Sequence, residues 1–193
     1  GFSDMQADIA AELIRAGVAV HIFNHRTVPG IFSMIRTLGG MLGLSEYTDP
    51  YARQLSDRVE RIRAQRDQGP VPRVYFEEWG DPLISGIGWV SELIDIAGGQ
   101  DIFPERAREA GAKERIIENP GDVVERQPDI IIGSWCGRRF RPDQVVERPG
   151  WRDIPAVANG DLYEIKSPLI LQPGPAALTD GLDALCDIIA GVR

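Results

Sequence analysis

The stretch D-I-I-I-G-S-W-C-G-R-R-F, residues 129–140, joins a short run of branched apolar residues to a loop rich in contact-making groups. Three consecutive isoleucines directly before Gly133 predict a buried strand that ends at the glycine. A strand that is apolar on both sides is typical of a parallel sheet covered by helices on both faces. The loop that follows carries Trp135, Cys136 and Arg138, which indicates that the strand ends at a binding surface.

The sequence around this stretch alternates in the same way between strand and helix patterns. A strand is predicted at 73–77 (RVYFE), followed by a helix at 89–99 whose Val90, Leu93, Ile94 and Ala97 face inward. Further predicted elements are short helices at 119–127 and 142–146, a strand–turn–strand unit at 155–165 with its turn at Asn159-Gly160, and a last helix with Leu178, Leu182, Leu185 and Ile189 buried. This order predicts an α/β fold with a largely parallel sheet.

The first 47 residues show a shorter version of this pattern. A helix begins at Ser3 or Asp4 and ends at Gly17, and the segment VAVHIF, 18–23, reads as a strand. A second helix begins near Thr27 and is expected to stop at Gly39-Gly40. Because an α/β unit normally opens on a strand, we expect residues 1–47 to be the remnant of an amino-terminal lobe that lacks its opening strands.

A long amphipathic helix is predicted between these two regions, at residues 49–69. Tyr51, Leu55, Val59 and Ile62 form its apolar stripe, and about 20 residues of helix span about 30 Å. We therefore predict two α/β lobes with central, largely parallel sheets joined by one long rigid helix, the first lobe being incomplete. The expected divisions are 1–47 for the amino-terminal remnant, 48–70 for the connecting helix and 71–193 for the carboxy-terminal lobe.

Composition excludes several classes of function. The net charge of −8 disfavours nucleic acid or an anionic membrane surface as the main partner. No apolar run reaches the roughly 18 residues that a membrane-spanning helix needs. The two cysteines, Cys136 and Cys186, are too few for a disulfide scaffold, and they could pair only if their Cα atoms lie within about 7 Å.

Three loops are expected to emerge together at the carboxyl edge of the sheet, where ligands bind in open α/β folds. They follow the strands at 73–77, 129–133 and 162–165, and span 78–84, 134–140 and 166–175. Two tryptophans, an arginine pair, an acid and an amide on these loops suit a large, flat, partly polar ligand. The alternative is that Trp79 and Trp135 cap the sheet as peripheral core and that Arg138 and Arg139 are solvated charges. Trp89 and Trp151 are assigned mainly to packing.

Catalytic patterns are weak in this sequence. G-S-W-C-G, 133–137, has tryptophan where a nucleophile elbow has serine. Cys136 could act as a nucleophile beside a histidine, but both histidines, His21 and His25, belong to the other predicted lobe. Glu77 and Glu78 are adjacent in a strand and therefore point to opposite faces. We predict no catalytic residue, no metal site and no resident cofactor, while a thiol-dependent enzyme domain that uses Cys136 remains the alternative class.

Several longer blocks resemble one known family. They are 1–20, the long helix, FEEWGDPLISGIGWVSELIDIAGGQDIF at 76–103, QPDIIIGSWCGRRF at 127–140, RPGWRDIPAVANGDLYEI at 148–165 and LILQPGPAALTDGL at 169–182. In this order they resemble the periplasmic substrate-binding proteins of vitamin B12 and ferric-siderophore ABC importers, the helical-backbone class, with the amino terminus truncated. Within these blocks, the motifs W-C-G and Q-P-G-P-A are most similar to those of the cobalamin-binding branch.

The resemblance implies a two-lobed, non-enzymatic protein that binds a metal chelate between its lobes and delivers it to a membrane permease. It implies an extracytoplasmic location, the periplasm or its equivalent, with a lipid anchor as an option in a full-length form. The implied ligand is cobalamin first, and a ferric siderophore or haem second. The implied ligand-binding residues are Phe2, Glu78, Trp79, Trp135, Arg138, Arg139 and Gln172.

The two ligand classes would use different residues of this set. A corrin ring has apolar faces and a rim of amides, which suits stacking tryptophans and hydrogen bonds from Glu78 and Gln172. An anionic siderophore would instead use Arg138 and Arg139. For permease docking, the family pattern places one surface carboxylate on each lobe, and Asp8 and Asp122 stand one residue away from the expected positions.

Overall fold

The computed structural model describes residues 4–66 and 69–192, with the side chains of residues 4–6 excepted. Its helices are α1 Asp4–Arg15, α2 Val28–Met41, α3 Ser45–Gln65, α4 Gly88–Ile96, α5 Pro104–Ala107, α6 Gly121–Glu125, α7 Pro142–Val146, α8 Pro155–Asn159, α9 Ser167–Ile170, α10 Pro175–Leu178 and α11 Asp180–Gly191. Its strands are β1 Arg73–Gly80, β2 Leu83–Ser85, β3 Gln100–Asp101, β4 Ile130–Gly133 and β5 Leu162–Glu164. None of the described helices is both long and apolar enough to cross a bilayer.

The strands form one mixed sheet in the order β2-β1-β4-β5, with β3 also paired to β1. β1 runs parallel to β3 and β4, and β4 runs parallel to β5, whereas β2 folds back antiparallel to the end of β1. Val74 lies opposite Ile130, and Ile131 lies opposite Leu162. The predicted α/β class with a largely parallel sheet is therefore confirmed.

Helices cover both faces of this sheet. Along β1, Val74 and Phe76 point into one apolar cluster, and Tyr75 points into the other. The first cluster includes residues of α2, α3, α4 and α11, and the second includes Trp151 and Phe103. Alternate residues of a strand point to opposite faces, so a run such as Ile130–Ile132 must be apolar throughout to serve both clusters.

The long helix α3 packs against α2 and against the helices that cover the sheet. Leu55 and Val59 of the predicted stripe are buried in the first apolar cluster together with Ala52, and Ile62 packs against it. Tyr51, which was predicted to belong to the same stripe, is 41% exposed. Arg58 donates to the carbonyl of Leu178 and forms an ion pair with Asp183, which ties α3 to the last helices. The division of the chain into a lobe remnant, a connecting helix and a second lobe stays a prediction.

Two details of α2 and α3 differ from the sequence-based prediction. α3 spans 45–65 rather than 49–69, and α2 continues through Gly39 and Gly40 to Met41. Gly39 is a glycine for a different reason, since it lies at a close approach of the two helices: a Cβ atom there would lie 1.8 Å from Oγ1 of Thr48. The glycine thus serves helix packing, and the turn follows two residues later.

The predicted strand at 18–23 is wrong. Residues 18–26 have no regular secondary structure, and Val18 and Ile22 are 48% and 43% exposed. A strand needs a neighbouring strand for its backbone hydrogen bonds, and none in the described ranges lies beside this segment. Its β-branched residues alone do not make a strand.

The first half of the predicted strand pair at 155–165 is also wrong. Residues 155–159 form the short helix α8, with Pro155 in its first turn and Gly160 at φ 81° directly after it. Proline near the start and a left-handed glycine after the end are helix boundary signals, so the same residues that suggested a hairpin turn end a helix instead. The second half, β5, is confirmed.

Candidate functional site

The strands β1, β4 and β5 are mutually aligned, so the segments that follow them leave the same edge of the sheet. A cavity of about 130 Å³ opens at this edge and is lined by Trp79, Gly80, Asp81, Trp135, Arg138, Gln144 and Arg148. A shallower groove of about 650 Å³ shares Trp135, Arg138 and Gln144 with it and is otherwise lined by residues 139–143. We call these the edge cavity and the edge groove.

The first predicted loop, 78–84, is a tight hairpin rather than a loop. β1 continues to Gly80, turns at Asp81-Pro82 and returns as β2, with an irregularity in register between Glu77 and Trp79. The indole nitrogen of Trp79 donates to the carbonyl of Asp81 at 2.7 Å, which holds this half-buried ring at the hairpin end. The prediction missed β2 because three residues carry too little pattern to indicate a strand.

Glu77 is fully buried and joins three segments at the edge cavity. Its carboxylate accepts two hydrogen bonds from Arg148, at 2.6 and 2.9 Å, and one from the indole nitrogen of Trp135 at 2.9 Å. Arg148 also stacks on Trp151, with its guanidinium carbon 4.5 Å from the ring centroid. A buried carboxylate is stable only when it is paired and hydrogen-bonded, and Glu77 meets both conditions.

Glu78 points away from Glu77 and has a different partner, as expected for adjacent strand residues. Arg115, which is 1% exposed, donates to both carboxylate oxygens of Glu78, at 2.5 and 3.2 Å, and to the carbonyl of Ser85. This fork holds the hairpin to the segment before α6. The ligand-binding role of Glu78 stays a prediction, and any ligand would compete with Arg115 for its carboxylate.

Trp135 lies mostly inside the second apolar cluster. It is 7% exposed and packs edge-on against Phe140 with ring centroids 5.3 Å apart. Gly80 allows this position, because a Cβ atom there would lie 2.7 Å from Cζ2 of the indole. The indole therefore forms a wall of the edge cavity, and its role in ligand stacking stays a prediction.

Arg138 and Arg139 are exposed on the loop after β4. The guanidinium carbon of Arg138 lies 5.6 Å from the ring centroid of Trp79, a cation–π distance. Neither arginine belongs to any ion pair formed within 4–66 and 69–192, whereas the nearby Arg141 is paired with Asp143 at 2.8 Å. Their charges are therefore available to a ligand.

Tyr75 is fully buried in the second apolar cluster, two residues before Glu77 in β1. Burial raises the pKa of its phenol well above the ordinary value of 10.0, and the negative charge of Glu77 raises it further. Both effects favour the neutral phenol, because ionisation would place a second negative charge close to Glu77 in a buried site.

Three further predicted site residues, Gln172, Asp8 and Asp122, do not line the edge cavity. Gln172 is exposed on the loop after α9 and lines neither the edge cavity nor the edge groove. Asp8 is exposed on α1, and Asp122 is half-buried at the start of α6, where it accepts a 2.8 Å hydrogen bond from Asn119. Phe2 lies outside the described residues. All these roles stay predictions.

The two cysteines are both free thiols, Cys136 exposed and Cys186 half-buried, so they do not pair. Burial raises the pKa of Cys186, and the neighbouring Asp183 and Asp187 raise it further. Trp89 and Trp151 are 1% and 0% exposed, which confirms their assignment to packing. Across the described part of the chain, no three His, Cys, Asp or Glu side chains cluster in a way that could hold a metal ion.

Sequence reasoning missed four residues of this edge: Asp81, Arg115, Gln144 and Arg148. Arg115 and Arg148 are far in sequence from their glutamate partners, so no local pattern could pair them. Asp81 lies two residues after Trp79 in a loop already assigned to the cleft, and that position was the signal available. Gln144 belongs to a short amphipathic helix whose exposed face carried no distinguishing feature.

Comparison with known proteins places the fold among binding proteins of ABC importers. A vitamin B12-binding protein of Vibrio parahaemolyticus is 24% identical over 78% of this chain and 54% of its own length. A solved ABC transporter substrate-binding protein of Listeria monocytogenes superposes with a TM-score of 0.83 at 14% identity, over 99% of this chain and 75% of that one. The heme complex of IsdE from Staphylococcus aureus gives a TM-score of 0.80 at 15% identity, over 98% and 75%.

These comparisons concern binding proteins and not enzymes. The chain spans about half the length of the V. parahaemolyticus relative that it matches. The family model described as periplasmic binding protein matches residues 1–169, which is most of the sequence. This chain therefore belongs to the periplasmic binding protein family.

Proposed function

We propose that this protein is the substrate-binding component of an ABC importer, that it captures a metal chelate, and that cobalamin is its first-choice ligand. The observation that carries the proposal is the edge cavity with its groove, at the carboxyl ends of parallel strands. A half-buried tryptophan meets there two arginines that form no ion pair with any described residue. Open α/β sheets bind ligands at this edge. Membership of the periplasmic binding protein family supports the same assignment.

Cobalamin is placed first for two reasons. The V. parahaemolyticus relative is a vitamin B12-binding protein, and its similarity extends over 158 residues. Trp79 offers a ring that is partly open to solvent, and a corrin presents broad apolar faces against which such a ring packs well. The edge groove gives the remainder of a large ligand room beside this ring.

A ferric siderophore or haem is the second candidate. Arg138 and Arg139 have no carboxylate partner in the described part of the chain, and such guanidinium groups suit the carboxylates or phenolates of an anionic chelate. The structural likeness to the heme complex of IsdE is compatible with this class. The two candidates make different predictions for Arg139, which lines the edge groove but not the edge cavity: neutralising it should weaken an anionic ligand much more than cobalamin.

The two-lobed architecture belongs to the same proposal. Residues 1–47 would contribute to an amino-terminal lobe, 48–70 to the connecting helix and 71–193 to the second lobe, with the ligand held between the lobes. Asp8 and Asp122 would each meet a basic residue of the permease, and the protein would act outside the cytoplasm, with or without a lipid anchor. Charge reversal at either aspartate should then weaken binding to the reconstituted importer, measured by co-sedimentation with proteoliposomes.

The deciding experiment is a titration of tryptophan fluorescence with cyanocobalamin, corrected for ligand absorption, with a ferric hydroxamate and haem in parallel. Saturable quenching by cyanocobalamin that is strongly weakened in Trp79→Ala supports the proposal. Tyr47→Ala is the matched control, because Tyr47 is an aromatic residue that is 68% exposed and lies on α3, outside the edge cavity. Saturable binding of the ferric ligand alone would replace cobalamin, and no saturable response to any of the three would count against the proposal.

The alternative of a thiol-dependent enzyme is tested with Cys136→Ala. Cys136 is exposed on the loop after β4, and it has no histidine partner among the contacts of the described residues. We expect the variant to bind the ligand as the wild type does. A loss of ligand turnover in this variant, with binding intact, would instead favour the enzyme.

A further inference from the structure

The edge cavity has two kinds of polar group in its walls. Those of the first kind are already satisfied by the protein: the Trp79 indole donates to the Asp81 carbonyl, and the Trp135 indole and Arg148 both donate to Glu77. Arg148 is also neutralised by Glu77, so it adds hydrogen-bonded structure rather than free charge. These groups shape the cavity, but they have few hydrogen bonds left to offer a ligand.

The second kind is a set of three side chains that have no protein partner within residues 4–66 and 69–192. They are those of Asp81, Arg138 and Gln144, which all line the edge cavity and all are exposed. No hydrogen bond or ion pair within that part of the chain uses these side chains, and the contact of Arg138 with the Trp79 ring leaves its N–H groups free to donate. A ligand group that enters the cavity therefore meets one acid, one guanidinium and one amide.

The chemistry of these three groups is selective. The Asp81 carboxylate only accepts hydrogen bonds, the Arg138 guanidinium only donates, and the Gln144 amide does both. A primary amide also does both, since its carbonyl can accept from Arg138 while its NH₂ group donates to Asp81. A carboxylate in the same position would be repelled by the negative charge of Asp81. An ammonium group would be repelled by the positive charge of Arg138.

The size of the edge cavity sets a second condition. Its volume of about 130 Å³ is the space that about four water molecules occupy in the liquid. A macrocycle does not fit, but a short acetamide or propionamide arm does. The body of such a ligand would then lie over Trp79 and along the edge groove.

We propose that the edge cavity is a subsite for one primary-amide arm of the ligand, with Asp81 and Arg138 reading the two ends of the amide and Gln144 completing the hydrogen bonds. The amide-rimmed corrin of the proposed function would supply such an arm, so the inference rests on that function for the whole ligand. The subsite itself can be tested without any corrinoid.

The test uses propionamide and propionate as probes of the wild-type chain labelled with ¹⁵N. We expect propionamide to shift the indole N–H resonance of Trp79, assigned with Trp79→Phe, in a saturable manner, and propionate to bind at least tenfold more weakly. Asp81→Asn should remove most of this discrimination by allowing propionate to bind. Arg138→Gln should weaken the binding of propionamide by about tenfold.

The matched controls are Asp153→Asn and Arg152→Gln. Both residues are exposed, and neither lines the edge cavity. We expect them to leave the binding of both probes unchanged, which separates the subsite from a general effect of charge. Equal binding of propionamide and propionate to the wild type, or no shift with either probe, would overturn the inference.

A parallel titration with cyanocobalamin keeps the two proposals distinct. Cyanocobalamin binding without selectivity for the small amide would overturn the subsite and leave the proposed function standing. Selective binding of propionamide without binding of any corrinoid would leave the subsite standing and overturn cobalamin as the ligand.

Discussion

Helices α1 and α11 are equally long and similarly patterned, but they have opposite environments. Each has 12 residues with an apolar stripe of leucine and isoleucine. In α11, Leu182, Leu185 and Ile189 are at most 1% exposed, whereas Leu13 and Ile14 of α1 are 41% and 59% exposed. The difference teaches that an amphipathic period predicts the helix, while burial depends on a partner surface elsewhere in the molecule.

The largest expected effect is in the carboxy-terminal region, where even charged groups are buried with partners. Glu77→Ala leaves Arg148 without its counter-charge and the Trp135 N–H without its acceptor, so we expect a loss of about 3–5 kcal/mol in the free energy of unfolding. Urea denaturation measures it. Glu12→Ala is the control on the exposed α1, with an expected change within about 0.5 kcal/mol. Equal effects of the two variants would contradict the contrast between the regions.

The second prediction compares the two helices directly. Leu185→Ala removes a fully buried side chain from the first apolar cluster and should cost about 2–5 kcal/mol. Leu13→Ala, at a half-exposed position, should cost less than about 1 kcal/mol. Both are measured by thermal or urea unfolding. A cost for Leu13→Ala as large as that for Leu185→Ala would show that α1 is packed in solution.

The third prediction concerns α2, which links the two regions. Oγ1 of Thr27 accepts a hydrogen bond from the N–H of Gly30 at 3.1 Å, the arrangement of a helix cap. Thr27→Ala should therefore reduce the free energy of unfolding by about 1 kcal/mol. Thr37→Ala, on the exposed side of the same helix, should be neutral or slightly stabilising because alanine is the better helix former. The reverse order would rule out the cap as a source of stability.

The smallest expected effect is a dependence of stability on pH, and it arises where Glu92 contacts the start of α2. The Glu92 carboxylate accepts a 2.6 Å hydrogen bond from the N–H of Val28, but burial raises its pKa above the ordinary value of 4.5 despite that bond and the nearby Arg63. The folded chain thus holds the proton of Glu92 more tightly than the unfolded chain does. Its contribution to stability is fully present below pH 4.5 and is lost as pH rises through the higher pKa of the folded state.

Glu92→Gln tests this prediction because glutamine does not titrate. The stability of the wild type relative to the variant should fall as pH rises from 4.5 through the higher pKa of the folded state. Unfolding in urea at several pH values gives the difference. A constant difference across this range, or one that grows in favour of the wild type, would contradict the assigned direction of the pKa shift.

The parts of the fold that the sequence predicts are those with a strong local pattern. The strands at 73–77 and 130–133 and the last helix carry clear apolar patterns, and they lie where we expected them. The segments 18–23 and 155–159 were read as strands from β-branched residues and a turn signal. The first lacks a neighbouring strand in the described ranges, and the second is closed as a helix by Gly160.

For the candidate site too, the sequence predicts some features and not others. Trp79, Trp135 and Arg138 could be placed at one edge from sequence because they follow parallel strands. The partners that decide which of them is free, Arg115 for Glu78 and Arg148 for Glu77, come from distant segments. Periodicity and spacing carry no information about such long-range pairs, so only the three-dimensional structure separates wall residues from residues that a ligand can reach.

The position of Glu77 has a consequence for the kinetics of binding. One carboxylate joins the end of β1, the loop after β4 and the segment after α7, so these parts of the edge cavity are held together before any ligand arrives. These parts of the edge cavity therefore lose little conformational entropy when a ligand binds, and preorganisation of this kind favours affinity. If the edge cavity binds a ligand as proposed, any slow closing step should therefore involve surfaces that this carboxylate does not hold.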